Sequence, residues 1–160
     1  MKCWVIADSE DHISSQAIDA SSTKMICAGA VLVVVRGMIL ARKWPIAIAG
    51  IYLTINQDMK ALLPRDGLHL EYLGYILRGL EPQVLDQVET AAHGTRRLKS
   101  DTLEALRIPI APITEQQRLV AYLDSVQTQA AALKRAQEDT DAELRRLEQA
   151  ILDRAFRGEL

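Results

Sequence analysis

Three clusters of basic residues, interleaved with small polar residues, are the side chains of this sequence that could bind a charged ligand. Arginine can bind guanine through two hydrogen bonds, and asparagine or glutamine can bind adenine in the same way. Lysine, arginine, serine and threonine can contact phosphates. These residue types predict contact with nucleic acid. The candidates are Arg36, Arg42, Lys43, Asn56, Gln57, Lys60, Thr95, Arg96, Arg97 and Lys99.

A structural interpretation of the same residues stays open. Asparagine is frequent in turns because its side-chain amide satisfies nearby backbone groups, so Asn56 and Gln57 could simply form a turn. Charged residues in loops are also often only solvated. The sequence alone does not choose between these interpretations and contact with DNA.

Motifs for catalysis or nucleotide binding are absent from the sequence. It contains no GxGxxG, GxxxxGK[ST], GxSxG or HExxH motif and no D/N-P-P-Y/F tetrad of amino-methyltransferases. His12, His69 and His93 lie far apart and are predicted to be surface or packing residues. Asp58 and Lys60 resemble half of a metal-dependent nuclease site, in which a carboxylate holds the metal and a lysine stabilises charge. Apart from that alternative, we expect no catalytic residue and no metal ligand.

The composition is that of a globular protein without an overall basic excess. Of the 160 residues, 49% are hydrophobic and 25% are charged, and the formal net charge is −2. Any contact with DNA must therefore use local patches. Aromatic residues make up only 4%, which disfavours the base-stacking surfaces that bind single strands.

Compartment and membrane signals point to the cytoplasm. The only cysteines, Cys3 and Cys27, form no CxxC motif, so neither a disulfide framework nor a zinc module is predicted. The most apolar stretch, residues 25–35, ends at Arg36 and is much shorter than the roughly 20 residues of a membrane span. The first residues turn acidic early and do not resemble a secretory signal.

A change of composition near residue 113 predicts two parts. All five prolines and both tryptophans precede this point, and only one glycine, Gly158, follows it. We expect an α+β architecture, with a mixed α/β domain over residues 1–112 and one long α-helix over residues 113–160. In the domain, the patterns predict strands at 31–35, 38–43, 46–54 and 59–63, helices at 68–78, 82–92 and 101–106, and a basic loop at 93–97.

The long helix carries signals at both ends and a coiled-coil pattern between them. Thr114 and Gln117 have the spacing of a capping box, and Gly158 is a natural stop, which gives about 43 residues. Its apolar residues alternate steps of four and three, a register that favours a partner helix over packing on its own domain. The seam consists of Leu119, Leu123, Val126, Ala130, Leu133, Gln137, Thr140, Leu144, Leu147 and Ile151.

The seam is polar only near its middle, at Gln137 and Thr140. In an antiparallel pair of identical helices the midpoints meet, so two copies of Gln137 would lie close together. A buried polar pair of this kind fixes register and orientation at some cost in stability. The pattern therefore predicts an antiparallel coiled coil with a second copy or another half.

Four stretches resemble the specificity subunits of type I restriction–modification systems. Residues 36–42 (RGMILAR) resemble the glycine turn and strand of their target-recognition domains, and residues 55–62 (INQDMKAL) are similar to their INQDxKAL segment. Residues 93–95 (HGT) with 106–118 resemble their loop and IPxPPxxEQ junction, and residues 150–160 resemble the end of their spacer helix.

The resemblance implies a non-catalytic subunit that recognises double-stranded DNA, mainly through the major groove. Such subunits usually carry two recognition domains and two antiparallel helices that set the distance between half-sites. Methyltransferase and restriction subunits are the implied partners, and S-adenosylmethionine, ATP and Mg²⁺ are implied to belong to them rather than to this chain.

Three departures from that pattern are expected to matter. Only one domain and one helix are present, so the chain resembles half of a subunit. The N-terminal part of the recognition domain is expected to be truncated, and Ala111 replaces the more usual proline of the junction. Two alternatives remain beside DNA recognition: a coiled-coil adaptor whose domain binds protein, and a small metal-dependent nuclease that uses Asp58 and Lys60.

Overall fold

The computed structural model describes residues 3–9, 12–21, 23–91 and 94–159. The chain divides into two compact units, residues 1–120 and 121–160. The first unit contains all the strands and short helices, and the second contains most of the long helix. His93, part of the predicted basic loop, lies outside the described residues.

The first unit is built on a four-stranded mixed sheet with the order β1-β4-β3-β6. β3 pairs antiparallel with both β4 and β6, and β1 pairs parallel with β4. Runs of valine and isoleucine explain why β3 and β4 occupy the buried centre. The strands are β1 (Val5–Ile6), β3 (Val31–Val34), β4 (Ile46–Ala49) and β6 (Met59–Leu62).

Alternate side chains of β3 enter two separate hydrophobic clusters. Val31 and Val33 pack in the larger cluster, which also holds Leu77 of a covering helix and Trp44. Leu32 faces the opposite side, in a smaller cluster. The indole N–H of Trp44 donates to the carbonyl of Val34 at 3.0 Å, so this large side chain is buried without an unpaired donor.

Two small antiparallel sheets and several short helices complete the unit. β2 (Lys24–Ile26) pairs with β5 (Leu53–Ile55), and β7 (Glu89–Thr90) pairs with β8 (Arg96–Arg97). The helices are α1 (Ser15–Asp19), a 3₁₀ helix (Met38–Ala41), α2 (Leu70–Gly79), α3 (Glu81–Leu85) and α4 (Ser100–Glu104). The strands predicted at 31–35 and 59–63 and the helices predicted at 68–78 and 101–106 are therefore confirmed to within two residues at each end. The strand predicted at 46–54 is divided into β4 and β5.

Three predictions for the domain are wrong. The strand predicted at 38–43 is the 3₁₀ helix, because Gly37 turns the chain and only Leu40 of the segment is buried. The helix predicted at 82–92 ends at Leu85, and the chain then forms β7. The predicted loop 93–97 ends in a strand, because Arg96 and Arg97 pair with Thr90 and Glu89.

The long helix α5 runs from Ile113 to Phe156 and confirms the predicted length and end. Gly158 adopts a φ of +71°, a conformation that favours glycine. Its N–H donates to the carbonyl of Ala155 at 3.0 Å, and that of Glu159 donates to the carbonyl of Arg154 at 2.9 Å. These bonds satisfy carbonyls that a helix end leaves unpaired. Within the part of the chain that the structure describes, no helix is both long and apolar enough to cross a membrane.

The capping box predicted at the start of α5 is wrong. The carbonyl of Pro112 accepts from the N–H groups of Glu115 and Gln116, so Thr114 lies inside the first turn instead of capping it. The helix starts where predicted, but the division between the compact units falls at 120/121, after two further turns.

Gln116 anchors these first turns to the domain. Its side chain is fully buried, at 0% exposure. The amide oxygen accepts from the N–H of His69 at 2.8 Å. The amide nitrogen donates to the carbonyls of Gly67 at 2.8 Å and Ala111 at 2.7 Å. One side chain therefore joins the start of α5 to the loop before α2 and to the preceding junction.

Replacing Gln116 by leucine tests this anchor. The substitution leaves three backbone groups without their partner, so we expect the free energy of unfolding to fall by about 2–4 kcal/mol. Urea denaturation measures the change. The matched control is Gln117→Leu at the exposed neighbouring position, which should change stability by no more than about 0.5 kcal/mol. Equal losses in both variants would contradict the assignment.

Candidate nucleic-acid interface

The turn between β5 and β6 is the centre of the candidate interface. Its residues are Asn56, Gln57 and Asp58, and all three are at least partly exposed. The carbonyl of Asp58 accepts from the N–H groups of Val35 at 2.8 Å and Arg36 at 3.2 Å. The end of β3 is therefore attached to the turn by backbone hydrogen bonds.

Asn56 and Gln57 have different surroundings in this turn. The side-chain oxygen of Asn56 accepts from the N–H of Asp58 at 3.0 Å, so it stabilises the turn itself. Gln57 is exposed, and the structure gives its amide no hydrogen bond to a described residue. Gln57 is thus better placed than Asn56 to bind a base with both its oxygen and its nitrogen.

The β7–β8 hairpin brings a second basic cluster to the same place. Arg36 forms an isolated antiparallel bridge with Arg97. The N–H of Gly37 donates to the carbonyl of Arg96 at 3.0 Å, and the N–H of Leu98 donates to the carbonyl of Val35 at 2.9 Å. Two clusters that are distant in sequence therefore become neighbours.

The 3₁₀ helix adds two further cations. Arg42 and Lys43 follow its last residue, and the N–H groups of both donate to the carbonyl of Ile39 at 3.0 Å. Both side chains are exposed, whereas the next residue, Trp44, is buried. We call the group Arg36, Arg42, Lys43, Arg96 and Arg97 the basic edge.

A cleft on β6 contains the predicted Lys60 and a second lysine, Lys24, that was not among the residues predicted from the sequence. The cleft has a volume of about 520 Å³ and is lined by Lys24, Lys60, Gln57 and the residues around them. Lys24 lies opposite Ile55 in the β2–β5 pair, which places it beside the turn. Only the strand pairing reveals this position, and no local pattern in the sequence could have done so.

The cations differ in how far acidic or polar neighbours engage them. Lys99 Nζ lies 2.6 Å from Glu89 Oε1, Arg96 Nη1 donates to Thr90 Oγ1 at 2.8 Å, and Arg36 Nε lies 3.8 Å from Asp58 Oδ1. Five cations of the interface make neither an ion pair nor a side-chain hydrogen bond with any residue that the structure describes: Lys24, Arg42, Lys43, Lys60 and Arg97. These five side chains are the ones most available to an anionic ligand.

Thr95 and the candidate nuclease residues have other surroundings. The carbonyl of Thr95 accepts from the N–H of Ala91 at 2.7 Å and so helps to close the β7–β8 hairpin. Asp58 is close to Arg36 rather than to other acids. Among the described residues, no group of three or more His, Cys, Asp or Glu could hold a metal ion. His12 is exposed beside Asp8, and His69 precedes α2.

Curated relatives of this chain are specificity subunits. It is 33% identical over 124 residues to the Type I restriction enzyme EcoR124I/EcoR124II specificity subunit of Escherichia coli, a match that covers 78% of this chain and 31% of the relative. It is 28% identical over 120 residues to the Type I restriction enzyme MjaIX specificity subunit of Methanocaldococcus jannaschii, covering 74% and 26%.

Solved structures show the same architecture. The HsdS subunit from Thermoanaerobacter tengcongensis matches with a TM-score of 0.62 and 42% identity over 86% of this chain and 32% of that subunit. A chain in a structure that addresses complex assembly and conformational transition of the type I R-M system matches with a TM-score of 0.71, also at 42% identity, covering 86% and 33%.

The mixed α/β domain and the long helix that follows it therefore match part of each of these solved structures. The family model for the Type I restriction modification DNA specificity domain matches residues 7–141. The chain belongs to this family. It spans about a third of the length of the relatives and structures that it matches.

The contrast between Asn56 and Gln57 gives a test of the turn. Asn56→Ala removes the hydrogen bond to the Asp58 N–H, and we expect the free energy of unfolding to fall by about 1 kcal/mol. Gln57→Ala should stay within about 0.5 kcal/mol of the wild type, since nothing in the fold depends on its amide. Thermal and urea unfolding measure both. The reverse order of the two effects would refute the distinction.

Proposed function

We propose that this chain recognises a sequence in double-stranded DNA, as part of a type I specificity subunit, and has no catalytic activity of its own. The observation that carries the proposal is the convergence of separate basic clusters around the β5–β6 turn, in a chain that belongs to this family. The two sides of the turn carry the basic edge and the lysine-lined cleft.

The available side chains suit distinct parts of DNA recognition. Unpaired cations such as Lys60 and Arg97 contact phosphates, which fixes the domain on the duplex. Gln57, with its amide free, is suited to adenine, and arginines of the basic edge are suited to guanine. Lys24 is added to the contacts predicted from the sequence, whereas Lys99 contributes less because Glu89 already neutralises it.

Partners supply the chemistry in this proposal. Methyltransferase and restriction subunits would bind S-adenosylmethionine, ATP and Mg²⁺, and this chain would position them on the target. The matches cover only 31% and 26% of the relatives, so we propose that recognition of a complete target requires a second half.

The exposed seam of α5 supports pairing with that second half. Leu119 and Leu123 are half-buried, and every seam residue from Val126 to Ile151 is exposed. The hydroxyl of Thr140 donates to the carbonyl of Ala136 at 2.9 Å, in its own helix. Gln137, in contrast, is exposed and makes no side-chain hydrogen bond to a described residue, so its amide is available to a partner helix. We propose antiparallel pairing with a second copy or another half.

DNA binding is tested through its dependence on salt. Each lost phosphate contact should lower the slope of log K against log salt by about one and weaken binding about equally across sequences. We expect this for Lys24→Ala, Lys60→Ala and Arg97→Ala, and a smaller change for Lys99→Ala. Fluorescence anisotropy with a labelled duplex of mixed sequence, across a salt series, measures the slope.

The control for this experiment is Lys134→Ala on α5, where the lysine lies 3.8 Å from Glu138 and outside the interface. It should leave the slope unchanged. The absence of salt-dependent binding in the wild type would overturn the proposal and favour a protein-binding adaptor. Cleavage of DNA with Mg²⁺ by the purified chain, lost in Asp58→Ala, would instead establish the nuclease alternative.

The pairing of α5 is tested by mass and orientation. Light scattering of the wild type should give a dimer near twice 17.8 kDa. Gln137→Leu removes the polar group that fixes register, so we expect mixed oligomers or mixed helix orientations, which cross-linking between helix ends detects. The matched control is Gln149→Leu, which lies between the seam residues Leu147 and Ile151 but outside the seam and bonds to Asp153, and it should behave as wild type. A monomeric wild type would contradict self-pairing.

A further inference from the structure

Two adjacent apolar side chains are exposed within the basic edge. Met38 is 65% exposed and Ile39 is 38% exposed. They are the first two residues of the 3₁₀ helix, with Arg36 before them and Arg42 and Lys43 after them. They were not among the candidates predicted from the sequence, because the sequence pattern predicts a strand at residues 38–43.

The backbone of the 3₁₀ helix that carries Met38 and Ile39 is held in place by packing and hydrogen bonds. Leu40, the next residue, is 2% exposed and anchors the turn in the larger hydrophobic cluster. Gly37 has a φ of +138°, and its N–H donates to the carbonyl of Arg96 at 3.0 Å. The carbonyl of Ile39 accepts from two following N–H groups. The fold therefore presents Met38 outward from a fixed turn.

The surrounding charges restrict what could cover Met38. An apolar protein surface that buried it would also bury Arg36, Arg42 and Lys43, at a large desolvation cost. Duplex DNA can both cover Met38 and compensate the surrounding charges. Its phosphates neutralise the cations, and the groove between them offers apolar groups. In the major groove the exposed apolar group is the 5-methyl of thymine.

We propose that Met38 is a specificity-determining residue that contacts the 5-methyl group of a thymine in the major groove, with Ile39 supporting it. This inference rests on the proposed DNA recognition, and it adds the identity of one recognised base, thymine, and of the residue that recognises it, Met38. Transfer of one methyl group out of water is worth about fourfold in affinity, which is the discrimination expected at that base.

The experiment replaces thymine by deoxyuridine, which lacks only this methyl group. Duplexes are first enriched by the wild-type chain from a randomised pool, and each thymine is then replaced in turn. For the wild type, affinity should fall about fourfold at one position in the recognised sequence. Met38→Ala should bind both duplexes equally, and Met38→Leu should retain most of the discrimination.

The matched control is Met25→Ala, a methionine that is 56% exposed on β2 and should discriminate as the wild type does. Two results would overturn the assignment of Met38 but not the proposed function. One is salt-dependent binding without enrichment of any sequence from the pool. The other is an equal loss of affinity for deoxyuridine duplexes in the wild type and Met38→Ala. A third outcome is an increase in 2-aminopurine fluorescence, which reports unstacking of a base step, without any effect of deoxyuridine. That result would contradict the thymine contact and would mean that Met38 inserts between base pairs. No salt-dependent binding at all would overturn the proposed function as well.

Discussion

The buried amide of Gln116 determines how the long helix begins. It bonds one backbone N–H and two backbone carbonyls, from two segments of the domain: the loop before α2 and the junction before α5. A buried polar group costs free energy when any partner is lost, so this joint has one favourable arrangement. His69 precedes α2, whose residues Leu73 and Leu77 pack in the cluster with Val31 and Val33. Packing of the sheet and the first turns of α5 are therefore fixed together.

The basic edge is assembled largely by backbone groups, and this leaves the side chains of Arg42, Lys43 and Arg97 without an ion pair or hydrogen bond to any described residue. Backbone N–H and carbonyl groups bond the segment from Val35 to Gly37 on one side to the β5–β6 turn and on the other to β8 and Leu98. Arg97 and Arg42 are therefore not needed to hold the edge together. Only a few cations are drawn into the fold, as Lys99 is by Glu89. This division lets the domain carry several unpaired charges on a stable framework.

How much the sequence could predict depended on the range of the interactions. The buried run of β3 and the heptads of α5 were predictable because periodicity is local. The 3₁₀ helix was not, because the burial of Leu40 and the bond from Gly37 to Arg96 come from distant strands. Gln116 looked like part of a capping sequence, whereas its partners lie across the domain. Lys24 reached the candidate interface only through strand pairing.

The weak overall charge favours specificity over affinity. The formal net charge is −2, so the proposed attraction to DNA depends on the local patches where cations are unpaired. Among the described residues of the interface these are Lys24, Arg42, Lys43, Lys60 and Arg97. Five phosphate contacts correspond to a salt slope of about −4.5, which is modest for a protein that binds DNA. In the proposed function, discrimination comes from groups that touch bases, and the exposed Gln57 and Met38 are our candidates for that role.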